Sequence, residues 1–157
     1  MRRFALVATA VAAAFAALTE AGELSQWFAE HAEVEPHVGG AYRFWGKHSY
    51  GAPSKAQATQ RITRFAPSQL FAFSWRLHER DSEVSFAIEA DPENAEGCVV
   101  KGAHVFEAAP AINRAKEMVD DLWRFNWGNL SAHLAGGQGK LMVDYGSSDP
   151  KVALSIF

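Results

Sequence analysis

Phe71-Ala72-Phe73-Ser74-Trp75-Arg76-Leu77 places four large apolar side chains at every second position. A repeat of two is the side-chain period of an extended strand, so this run predicts a strand with one apolar face. Its neighbours repeat the pattern. Downstream, residues 83–89 turn Val84, Phe86 and Ile88 inward, residues 91–97 form a polar turn, and Cys98 to Phe106 is a further strand ended by Ala108-Ala109-Pro110. Upstream, residues 60–65 alternate and join the central run through the turn Ala66-Pro67-Ser68-Gln69. Before them come a polar loop over 46–54, a strand at 41–45 with Tyr42 and Phe44 on one face, a turn over 36–40, and an alternating strand at 32–35.

From about Ile112 to Ala135 the period changes to 3.6. Val119, Leu122, Trp123, Asn126, Trp127, Leu130 and Leu134 share one stripe of a helix of about 22 residues, and Gly136-Gly137 ends it. At the other end, Phe4-Ala5-Leu6-Val7 reads as a short strand. Thr9 or Ala10 opens an Ala-rich helix over Val11 to Leu18, and Thr19 caps a second short helix running to about Phe28. Met1-Arg2-Arg3 followed by an uncharged stretch to Leu18 also fits a secretory leader, with Ala14 and Ala16 at a cleavage site. The apolar run falls short of the roughly 20 residues a membrane span needs.

One strand, two short helices, about six consecutive strands and one long helix define an α+β fold with helices segregated to one face of an antiparallel sheet. A sheet of six to seven strands curls around such a helix and leaves a cavity for aromatic side chains to line. The chain has 157 residues, enough for one domain, and 48% of them are hydrophobic. A net charge of −3 without a basic block excludes the electrostatic footprint of a nucleic-acid binder. The single cysteine, Cys98, excludes an intrachain disulfide and a cysteine-based metal cluster.

Individual motifs carry little chemistry. His31, His37, His48, His78 and His133 lack any metal-ligating spacing, so no metal is expected. Residues 136–140 lack the first Gly and the Ser/Thr of a phosphate loop and follow a helix instead of preceding one. The Asn129-Leu130-Ser131 sequon lies inside the predicted helix. Arg43 and Arg76 fall opposite the apolar face and read as solvent-facing. His104 is the exception: a polar ring on a mostly apolar strand. It reads either as a ligand-orienting or acid–base group inside an apolar pocket, or as a strand-end histidine hydrogen-bonded to a backbone carbonyl.

Several segments together resemble the SRPBCC (START-like) superfamily, in particular its bacterial branch related to the activator of the heat-shock-protein-90 ATPase. They are Ala17-Leu18-Thr19-Glu20 with Leu24-Ser25-Gln26-Trp27-Phe28, Glu35-Pro36-His37-Val38-Gly39-Gly40-Ala41-Tyr42-Arg43-Phe44, Leu70 to Trp75, Ser82-Glu83-Val84-Ser85-Phe86, His104, and Trp127 to Leu134 with Gly136-Gly137. The resemblance covers about residues 4–137. The Ala-rich stretch after a short first strand, where the family commonly has a Pro, departs from it.

The resemblance implies a helix-grip fold with a ligand cavity between sheet and helix. It also favours residues 1–16 as structure over a leader, hence a cytoplasmic bacterial protein. The cavity candidates are Trp27, Tyr42, Phe44, Phe73, Trp75, Phe86, His104, Trp123 and Trp127. The expected function is non-enzymatic binding of a small hydrophobic molecule, with no catalytic residue, cofactor, nucleic acid or membrane partner. The alternatives are a cochaperone-like protein acting through its surface, and a cyclase- or hydrolase-type enzyme using His104. Residues 1–140 form the domain. Residues 141–157 read as a linker and an apolar tail, Lys151 to Phe157, that resembles the start of a second copy. Such a tail must pair with its own sheet edge, pair with a second molecule in a homodimer, or stay unpaired.

Overall fold

The computed structural model describes residues 2–8, 11–48, 54–77, 80–107, 113–136 and 155–156. In chain order they form β1 (Arg2–Ala8), α1 (Val11–Thr19), α2 (Ala21–Trp27), β2 (Ala29–Val34), β3 (Tyr42–His48), a 3-10 turn (Lys55–Gln57), β4 (Ile62–Ala66), β5 (Leu70–Leu77), β6 (Arg80–Asp91), β7 (Asn94–Phe106), α3 (Asn113–Leu134) and β8 (Ser155–Ile156). This is the expected α+β helix-grip architecture.

Every strand pair is antiparallel. Six strands run in the order β4-β5-β6-β7-β1-β8, and β2-β3 form a separate pair. A bridge between Ala41 and Arg61 joins the two sheets. There Tyr42 N–H donates to the Gln60 carbonyl at 3.0 Å and Ile62 N–H to the Gly40 carbonyl at 2.9 Å. Register fixes which side chains share the inner face. Phe71 lies opposite Phe86, Phe73 opposite Val84, and Trp75 opposite Ser82. One strand on, Val84 meets His104 and Ser82 meets Phe106.

The apolar stripe of α3 supplies the opposite wall of the core, with Val119, Leu122, Trp123, Trp127 and Leu130 all buried. Gly136, at φ +83°, adopts the left-handed conformation that ends the helix and donates to the His133 carbonyl. The α1–α2 hairpin contributes Ala14, Ala17, Leu18, Leu24 and Trp27 to the same core. The segment that also fits a leader is thus β1, paired along its whole length with β7, followed by α1. No helix among the described residues is long and apolar enough to cross a membrane.

Several local expectations change. β3 runs on to His48 through the start of the expected loop, and β6 reaches Asp91 while β7 starts at Asn94, inside the expected turn over 91–97. Thr19 does not cap α2. Its hydroxyl donates back to the Phe15 carbonyl at 2.7 Å within the last turn of α1, and Glu20 holds the N-cap position without a side-chain bond. β2 starts at Ala29, three residues before the alternation begins, because an irregularity between Ala29 and His31 hides the period. Gly46 (φ +86°) lies across that irregularity, where a Cβ would come within 2.9 Å of the Glu30 Cβ. The loop after β3 also contains a 3-10 turn, started by Ser54 and Gln57 in a capping box. The proposed helix-opening residues Thr9 and Ala10 lie outside the described residues, as does His78. From the apolar tail, Ser155 and Ile156 pair with Ala5 and Phe4 at the free edge of β1.

Candidate functional site

The nine candidate residues converge between the inner sheet face and the helices, and all are at least 97% buried. Their rings touch one another. Phe44 meets Trp75 edge-on at 5.2 Å between centroids, Trp75 meets Trp123 at 6.3 Å, and Phe86 stacks on Trp127 at 5.9 Å. Phe71, on the same face, stacks with Phe86 at 6.2 Å. Consecutive strands therefore present rings directly to α3, in the offset and edge-to-face arrangements that aromatic quadrupoles favour.

Two of the nine act as pins. The last carbonyls of a helix lack intrahelical donors. At the end of α1, Trp27 Nε1–H donates to the Ala17 carbonyl and the Tyr42 hydroxyl to the Leu18 carbonyl, each at 2.8 Å. Burial pushes the Tyr42 pKa well above its ordinary value, so the hydroxyl keeps the proton it donates.

His104 sits at the centre of a directed chain of hydrogen bonds. Its ring lies between Trp75 and Phe106, stacked on them at 5.8 and 4.5 Å between centroids. Trp123 Nε1 is 2.9 Å from His104 Nδ1, and His104 Nε2 is 2.8 Å from Ser82 Oγ. An indole N–H only donates, so Nδ1 accepts and the ring proton resides on Nε2. Nε2–H then donates to Ser82 Oγ, whose own proton goes to the Trp75 carbonyl. Every member is satisfied with the imidazole neutral. Burial accordingly lowers the His104 pKa to about 3.

The polarity of this chain decides its chemistry. A histidine that activates a serine accepts the hydroxyl proton at one nitrogen while its other N–H is held by an acceptor. Here both directions are reversed: Trp123 donates where an acceptor would be needed, and His104 donates to Ser82. The pair is a buried structural network, without the orientation of a nucleophile and its base.

The remaining polar candidates serve the surface or the frame. Arg43 is half-buried: it pairs with Glu33 at 2.7 Å and donates to the carbonyls of Ala58 and Lys55, tying the 3-10 turn to β3. Arg76 pairs with Asp81 in solvent. His133 contacts Glu23, linking α3 to α2. Asn129 is buried within α3, so the sequon lies in packed helix. Among the described residues, the exposed large hydrophobics are Val38, in the turn between β2 and β3, and Val105, on β7.

Among the interior residues absent from the sequence candidates are the polar Ser82 and Gln60. Ser82 is in phase with Val84, Phe86 and Ile88, and Gln60 is in phase with Ile62. The period-two alternation read over residues 60–65 and 83–89 is the signal that reaches both.

A helix gripped by an antiparallel sheet around an uncharged, ring-lined interior is the architecture of the SRPBCC superfamily, a ligand-binding fold. Residues 8–135 match the family described as Activator of Hsp90 ATPase homolog 1-like protein, and the chain belongs to that family. Solved structures share the fold. MLL2253 from Mesorhizobium loti is 14% identical, with a TM-score of 0.65 over 85% of this chain and 96% of its own. The BPP1335 product of Bordetella parapertussis is 19% identical, with a TM-score of 0.66 over 92% and 80%. DynU16, a protein in the dynemicin biosynthetic locus, is 18% identical, with a TM-score of 0.65 over 87% of this chain and 47% of its own. No curated protein matches the sequence.

Proposed function

We propose that this protein binds a small, uncharged, hydrophobic molecule between the inner sheet face and α3. The observation that carries the reading is the wall formed by Phe44, Phe73, Trp75, Phe86 and His104 facing Trp123 and Trp127, with no charged group among them. An ion entering such an interior would lose its hydration without compensation, whereas an apolar molecule exchanges one ring contact for another.

The orientation of the His104 chain disfavours the acid–base alternative. Among the described residues, Val38 and Val105 are the exposed large hydrophobics, which gives a surface-acting cochaperone reading little support from that part of the surface. Native mass spectrometry of the purified protein, together with titration of an environment-sensitive apolar dye, tests the proposal. A co-purified small molecule, or saturable binding with a negative heat-capacity change, is expected. A protein that carries nothing and takes up no dye refutes it.

A further inference from the structure

We infer that Gln60 is the polar anchor of the interior, and that the ligand is an amphiphile whose neutral hydroxyl or N–H donates to the Gln60 side-chain carbonyl. The inference rests on the binding reading given above and adds the chemistry of recognition to it. From Ala58 to Ile62 the exposures alternate, with Ala58, Gln60 and Ile62 buried and Thr59 and Arg61 exposed. Gln60 therefore projects inward, at 5% exposure. Its backbone carbonyl accepts from Tyr42 N–H on one side. On the other, Ser74 N–H donates to the neighbouring Arg61 carbonyl, which sets Gln60 beside the Phe73–Trp75 stretch of β5.

Gln60 Oε1 is buried and has no hydrogen-bond partner in the protein. The buried hydroxyls of Tyr42 and Ser82 are themselves committed, to the Leu18 and Trp75 carbonyls. A buried carbonyl left unpaired costs stability, and such a cost is recovered when a ligand supplies the missing donor. The orphaned atom is an acceptor, so it selects an alcohol, phenol or amide N–H and repels a carboxylate. A site built to pair a hydroxyl rejects the analogue that lacks one, because its own polar group is then left unpaired.

The test compares 2-naphthol with 2-methylnaphthalene, nearly equal in shape, on the intact wild-type chain and on Gln60→Met. The wild type is expected to prefer 2-naphthol about tenfold, equivalent to about 1.4 kcal/mol. Gln60→Met is expected to bind both equally and, without ligand, to unfold at a higher denaturant concentration. A preference that survives in Gln60→Met overturns the inference. Equal binding of the two probes by the wild type also overturns it, while leaving hydrophobic-ligand binding itself standing. Binding of neither removes the binding reading and this inference with it. Should Gln60→Met not fold, the wild-type preference is read together with the Gln60 side-chain amide NMR signal. That signal should move with 2-naphthol more than with 2-methylnaphthalene, and equal movement overturns the inference.

Discussion

Acidification should destabilise this protein through His104, by an amount the structure sets. The folded imidazole is neutral with a pKa of about 3, against an ordinary value of 6.5. Between those values the unfolded chain binds a proton that the folded chain refuses, so stability rises with pH across that window. The contribution is complete above about pH 7 and is lost as pH falls from 6.5 towards 3. At pH 5 the unfolded state has gained about 2 kcal/mol on this account, and at the bottom of the window the loss approaches about 5 kcal/mol. The informative quantity is a difference between two proteins that share every other group. His104→Gln retains an acceptor for Trp123 and a donor for Ser82 but does not titrate. Denaturant titrations of both proteins at pH 7.5 and 5 should show wild type losing about 2 kcal/mol more than the variant. Equal losses would mean that His104 protonates freely in the folded state, and the closed hydrogen-bond chain would be wrong.

Other perturbations follow from the same packing. Trp75→Ala or Trp127→Ala should each cost about 3–5 kcal/mol in denaturant titrations, the range for emptying a large core site, and losses below about 1 kcal/mol for both would contradict their burial. Trp123→Phe keeps most of the ring but removes the donor to His104 Nδ1, and should cost about 1–3 kcal/mol by leaving a buried acceptor unpaired; an unchanged midpoint would break the chain at that link. Deletion of residues 147–157 removes β8 from the edge of β1 and should lower the melting temperature with unchanged mass by light scattering. A fall in mass instead would place the tail in a dimer.

The sequence displayed most of this fold because most of it obeys a period. β5 and β6 alternate cleanly, and the stripe of α3 runs unbroken from Val119 to Leu130, so both the elements and their buried faces could be read. Legibility failed where side chains answer to something other than period. The irregularity opposite Gly46 concealed the start of β2, and Thr19 turned back onto Phe15 instead of forward onto α2. The candidate rings were legible as a set, since each falls on an inward phase. Their division of labour was not. That Trp27 and Tyr42 pin the end of α1, and that Trp123 orients His104, depends on contacts between residues distant in sequence. Gln60 was readable by phase, but hydrophobicity drew attention to the rings around it.

The pairing of β1 with β7 has a kinetic consequence. From Arg2 opposite His104 to Ala8 opposite Cys98, the first strand is matched to the last long one. Contacts so distant along the chain form slowly, because a long loop must close before they are rewarded. During synthesis, Phe4 to Val7 leave the ribosome long before any partner exists for them. β4 to β7 can assemble as a meander of neighbouring hairpins while β1 waits with both edges open. Productive folding is therefore a race between docking of that early apolar segment and its capture by another nascent chain, with the outcome settled only after β7 has been made.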